Sequence, residues 1–184
     1  MTLHDDCGPA FTEATVEAAV AACRERKIEH LVVASTTGTT AAVAHEAVKG
    51  TDIRLVVVTH NTGFGDEGTQ KFPADLRTRL EAEGTRVLTG TMVFRSLGRA
   101  IRDKTGGDQE ALVASALRVL GEGTKVCAEI AMMAADAGLV PPTDVVCVAG
   151  TGRGADTAAV VRAVPSNKFF DLKVRAYVAK PYNF

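Results

Sequence analysis

Four short, mainly apolar runs, each followed by a small polar loop and the first three then by a helical stretch, constrain this chain more than any other feature. They are Leu31-Val32-Val33-Ala34, Leu55-Val56-Val57-Val58, Arg86-Val87-Leu88-Thr89 and Val145-Val146-Cys147-Val148-Ala149. The runs are mostly continuous rather than alternating, as in strands buried on both faces of a parallel sheet. Thr12 is placed to cap a helix from Glu13 to about Arg26. Further helices are expected from about Thr40 to Val48, from Pro73 to about Glu83 and from Lys125 to Ala137. Gly50, Gly84 and Gly138 stop them. Between Phe94 and Leu120, apolar residues recur at helical spacing (Phe94, Leu97, Ile101, then Leu112, Ala116, Val119), and Gly106-Gly107 divides two helices. Strands alternating with helices predict an α/β domain with a mainly parallel sheet covered on both faces. Ala158 to Val164 follows its strand too closely for a crossover helix, so it is expected antiparallel, at a sheet edge. Lys173 to Val178 reads as a weak strand.

The chain has 184 residues, a length that suits one domain over residues 1–184. Its 21 basic and 22 acidic residues leave a formal net charge of -1 with no basic run, so nucleic acid is not an expected partner. No apolar run is long enough to span a bilayer, so no membrane partner is expected. The start, Met1-Thr2-Leu3-His4-Asp5-Asp6, lacks a signal-peptide pattern, and the expected compartment is the cytoplasm. Cys7, Cys23, Cys127 and Cys147 are scattered without C-x-x-C pairs, so neither a disulfide nor a metal site is expected. Cys127 and Cys147 read as core residues and Cys7 as the one near solvent.

In a parallel sheet, ligands sit outside the carboxyl ends of the strands. Four glycine-containing polar loops follow the four strands: Ser35-Thr36-Thr37-Gly38-Thr39-Thr40, Thr59-His60-Asn61-Thr62-Gly63-Phe64-Gly65, Thr89-Gly90-Thr91 and Gly150-Thr151-Gly152-Arg153-Gly154. All four are expected on one edge of the sheet. The first opens a helix, whose free N–H groups and positive dipole end favour an anion. Gly38 permits positive φ, and the hydroxyls of Ser35, Thr36, Thr37 and Thr40 can donate to phosphate. The loop contains no lysine and is no triphosphate loop, so a monophosphate is the better fit. The same composition also suits a plain helix cap.

The other candidates have bland readings beside the functional ones. Gly150-Thr151-Gly152-Arg153-Gly154 is either a turn or a loop that offers Arg153 to a phosphate or to a flavin's pyrimidine edge. His60, the one histidine expected at this end of a strand, can donate to a ligand, act as a base or bond loop backbone. Phe64 covers a planar ring or pins its loop. Glu129 lies in a helix apolar nearly all round, so it faces a cleft or is paired, with an arginine the expected partner.

Val32-Val33-Ala34-Ser35-Thr36-Thr37-Gly38-Thr39-Thr40, with its helix and Leu55-Val56-Val57-Val58-Thr59, resembles the C-terminal domain of pyruvate kinase. It resembles still more closely a group of small stand-alone archaeal and bacterial proteins built on that domain. The matching stretches include Thr59-His60-Asn61-Thr62-Gly63-Phe64, Lys125-Val126-Cys127-Ala128-Glu129-Ile130, Arg153-Gly154-Ala155-Asp156-Thr157-Ala158 and Phe169-Phe170-Asp171. The resemblance implies a three-layer α/β/α fold with an antiparallel edge strand, and FMN in the cleft, held by the loops Ser35 to Thr40, His60 to Phe64, Gly90-Thr91 and Gly150 to Gly154. It implies no reaction. Asn61 and Thr151-Gly152 depart from the group's pattern, which bears on ring contacts and not on the phosphate site. Pyruvate kinase catalysis belongs to a (β/α)₈ barrel for which this chain has no room. Three functions remain open: an FMN-binding protein such as an oxidoreductase, a non-catalytic sensor of a phosphorylated metabolite, and a hydrolase or isomerase using His60 with Glu129 or Asp156, for which the sequence gives no nucleophile–base spacing. An apolar edge strand at Ala158 to Val164 also predicts a homo-oligomer.

Overall fold

A computed structural model describes residues 1–184. The strands are β1 (Thr2–His4), β2 (His30–Ala34), β3 (Arg54–Val58), β4 (Arg86–Leu88), β5 (Asp144–Ala149), β6 (Thr157–Arg162) and β7 (Lys173–Pro181). The helices are α1 (Thr12–Arg26), α2 (Thr39–Val48), α3 (Ala74–Ala82), α4 (Ser96–Thr105), α5 (Gln109–Arg118) and α6 (Glu122–Asp136). One sheet holds all the strands in the order β1-β7-β6-β5-β2-β3-β4. β5, β2, β3 and β4 are mutually parallel, and β6 is antiparallel to both of its neighbours.

Side chains alternate across each strand, and the two faces fill two separate cores. Leu31 and Val33 face α1, α2 and α3 together with Val16, Ala19, Ala41, Ala44 and Leu80. Val32 faces the other way, against Cys127, Ile130, Ala131 and Met133 of α6. This is the expected three-layer α/β/α arrangement with a mainly parallel sheet. The α4–α5 hairpin forms an outer layer, packed on α6 through Phe94, Ala114, Ala128 and Met132.

Three expectations need correction. β6 has the predicted direction beside β5, but β7 and β1 continue the sheet past it, so the apolar 158–164 segment is buried and presents no free edge for self-association. Thr12 does not cap α1. Its hydroxyl donates to the Pro9 carbonyl (2.8 Å) and accepts from the Ala155 N–H (3.0 Å), which ties the chain start to the loop after β5. The apolar stripe on α4 and α5 faces outward: Leu97, Leu112 and Val119 are each more than two-thirds exposed, and only Gly98 and Ala114 of these helices are buried. No helix is long and apolar enough to cross a membrane.

Candidate functional site

The loops after β2, β3 and β5 meet at the carboxyl edge of the parallel strands and border a cleft of about 1290 Å³. Its floor is apolar: Ala34 and Val58 from the strand ends, Met92, and Val126, Ile130 and Met133 from α6. The start of α1, near Pro9, forms one rim, and the α4–α5 hairpin forms another. A second, more open concavity of about 820 Å³ lies at the opposite sheet edge, around His30 and Arg175.

The 35–40 loop leaves a run of backbone donors and hydroxyls unpartnered. Gly38 sits at φ +91 at the position before α2, and a Cβ there would run into the Leu76 side chain. The N–H groups of Thr36, Thr37 and Gly38 find no acceptor within the chain. Thr39 and Thr40 open α2, where no intrahelical acceptor exists. Five successive backbone donors are thus left at the rim of the cleft. The Ser35 hydroxyl is partly engaged, since it accepts from the Ala41 N–H at 3.2 Å. The hydroxyls of Thr36, Thr37, Thr39 and Thr40 have no partner in the chain, and all four residues line the cleft.

The Gly150 to Gly154 turn is built from below by Asp156, which is fully buried. One carboxylate oxygen accepts from the N–H groups of Thr151 (2.9 Å) and Gly8 (3.1 Å), and the other from the Thr157 hydroxyl (2.7 Å). A Cβ on Gly150 would lie 2.6 Å from the Gly154 carbonyl oxygen, and one on Gly154 would overlap Pro9. Glycine is therefore required for close packing at both ends of the turn. Gly150, Gly152, Arg153 and Gly154 line the cleft, and Arg153 is exposed with no ion pair.

The His60 and Phe64 rings lie against each other at a 31° tilt with centroids 3.8 Å apart, and the Arg95 guanidinium lies 4.5 Å from the Phe64 centroid. Phe64 thus both lines the cleft and packs on the α6 core. Burial lowers the His60 pKa below the ordinary 6.5, with Arg95, Lys71 and Lys125 adding to the effect and Glu129 opposing it. Its Nδ1 is buried without a partner.

Not every candidate reaches the cleft. Asn61 and Thr62 turn into their own loop, where the Asn61 amide donates to the Thr62 carbonyl (2.8 Å), and the Gly63 N–H bonds Thr69 (2.8 Å). Gly90 and Thr91 lie beside the cleft lining, not in it, as does Thr151. The third loop is instead fastened to its neighbours: the Thr89 hydroxyl bonds that of Thr59 (2.7 Å) and accepts from the Arg77 guanidinium.

The structure adds residues from remote elements. Lys125 and Glu129 both line the cleft and are both nearly inaccessible, at 4% and 2% exposure. The Lys125 ammonium donates to Glu129 Oε2 at 2.5 Å, and Glu129 Oε1 accepts from the Phe94 N–H at 2.8 Å. The partner of Glu129 is therefore a lysine one turn earlier on the same helix, not an arginine. The i,i+4 spacing was the available signal. Lys71, Arg95, Arg102 and Arg118 also line the cleft. With Lys125 and Arg153 they make six basic side chains against three acidic ones, Glu13, Glu122 and Glu129. A cleft lined mainly by one sign of charge attracts anions.

No protein-family model matches the chain. The solved structures similar to it include a pyruvate kinase from Cryptosporidium parvum, 13% identical, with a TM-score of 0.46, covering 85% of this chain and 23% of that one. Pyruvate kinase from Cryptosporidium parvum in complex with ADP is 14% identical, with a TM-score of 0.46, covering 85% of this chain and 24% of that one. The chain spans about a quarter of the length of these enzymes.

Proposed function

We propose that this protein binds a phosphorylated, ring-bearing ligand, FMN being the best fit, with its phosphate on the 35–40 loop. The observation that carries the reading is the run of five unpartnered backbone N–H groups from Thr36 to Thr40 at the start of α2. Such a run binds a phosphate through charge-assisted bonds and the helix dipole. The apolar floor beside it suits a planar ring, and Arg153 is available as a counter-charge. The residues present therefore fit the group. When bound, a flavin supplies electron or hydride transfer. The chain's own part is to hold the phosphate, exclude water with the α6 face, and set the charge around the ring with Arg153.

The test is a titration of purified protein with FMN, followed by flavin fluorescence. Saturable quenching that riboflavin, which lacks the phosphate, fails to reproduce at the same concentration supports the reading. Absence of quenching rejects FMN. If phosphate esters still raise the melting temperature, the sensor reading takes its place.

A further inference from the structure

The cleft has a second cationic pole that the phosphate cradle does not use. Three side chains there are short of partners. Lys125 is buried, yet its ammonium has a single acceptor, Glu129 Oε2, and otherwise rests 5.7 Å from the Phe94 ring centroid. An ammonium carries three donors, so two are unfilled. A buried charge in that state is costly unless an acceptor arrives from the cleft. Arg95 makes no ion pair and lies over Phe64. His60 has no side-chain partner on either ring nitrogen. Its occluded Nδ1 is better left as a lone pair than as an orphaned N–H, so Nε2 carries the proton and is the nitrogen left to donate. His60 and Arg95 both pack against Phe64, 3.8 Å and 4.5 Å from its ring centroid, and Lys125 lines the same cleft.

We propose that His60, Arg95 and Lys125 form a second subsite that holds the carboxylate of a separate small molecule beside the phosphate-anchored ligand. A carboxylate matches the set: a planar pair of oxygens suits a guanidinium fork and leaves lone pairs for the ammonium and the imidazole. The cleft, at about 1290 Å³, exceeds the ~300–1,000 Å³ of ordinary single-ligand sites and has room for two. Glu129 is a positioning residue, which pins Lys125 from one side while its other oxygen is held by the Phe94 N–H. The proposal extends the phosphate-anchoring reading and depends on it only for what fills the other pole.

Oxalate is the probe, titrated calorimetrically into the whole protein in saturating inorganic phosphate. One oxalate is expected to bind per chain. Arg95→Gln and Lys125→Gln are each expected to weaken it by about tenfold or more, and His60→Gln by a few-fold. Arg86→Gln, exposed on β4 and outside the cleft, is expected to change oxalate affinity less than about twofold. Lys125→Gln leaves the Glu129 carboxylate without its partner, so Lys125→Gln/Glu129→Gln is run beside it with melting temperatures. Arg95→Gln, outside that pair, decides the matter if both unfold. The proposal is overturned if oxalate does not bind, if phosphate displaces it one for one, or if Arg95→Gln binds it as tightly as the parent. Failure to bind FMN with oxalate behaving as described rejects the flavin reading and leaves this subsite standing.

Discussion

At the scale of single residues, Gly38 and His60 show two ways in which position dictates chemistry. Gly38 needs both a left-handed backbone and an absent Cβ, because Leu76 occupies the space. Gly38→Ala is therefore expected to cost about 1–3 kcal/mol in urea unfolding and to weaken phosphate-ester binding. A substitution neutral in both measurements would show that the loop tolerates another conformation. His60 and His30 both titrate below the ordinary 6.5, with burial the first cause in each. Between their folded-state values and 6.5, the unfolded chain binds protons that the folded one refuses. Stability is therefore expected to fall as pH drops from about 7 through 6.5, and to level off below the folded-state values. The urea midpoint measured across that range should lose much of its slope in His30→Gln/His60→Gln.

At the scale of elements, the α4–α5 hairpin is a part whose apolar pattern misleads. Its apolar residues repeat at helical spacing, and the helices form, but Leu97, Leu112 and Val119 point to solvent. Helical periodicity says which residues share a face and is silent on whether that face is covered. The hairpin is held through a small cluster around Ala114 and Phe94, while α6 has eleven buried residues in a fifteen-residue helix. Elements with few buried contacts open at lower free energy. Amides of residues 96–118 are expected to exchange with deuterium faster than those of α6 in hydrogen-exchange mass spectrometry. A ligand filling the cleft should slow the hairpin, because its inner face, including Arg102 and Ser115, lines that cleft. Equal protection of α5 and α6 in the free protein would contradict this.

At the scale of the whole molecule, Asp156 fastens the segment before α1 to the loop between β5 and β6. It accepts from Gly8 and Thr151, and the Thr12 hydroxyl adds a second link to Ala155. Asp156→Ala leaves these donors unpaired in a dry site. The expected cost is about 2–5 kcal/mol in chemical denaturation. A cost below about 1 kcal/mol would mean that the start of α1 is placed by other contacts.

The local plan of this protein was legible in its residues. Continuous apolar runs separated by helical stretches specify a buried parallel sheet, because backbone pairing and side-chain period act over a few residues. The free donors of Ser35 to Thr40 were legible for the same reason: a helix start is a local object. Tertiary structure alone decided the rest. β6 proved to be internal because β7 and β1, from the two ends of the chain, lie beyond it. Lys125 and Arg95 entered the cleft because α6 and the segment before α4 fold back over the strand ends. Thr12 and Asp156 became clamps by meeting residues more than a hundred positions away. Such pairings depend on the packing of whole layers, and no window of neighbouring residues contains that information.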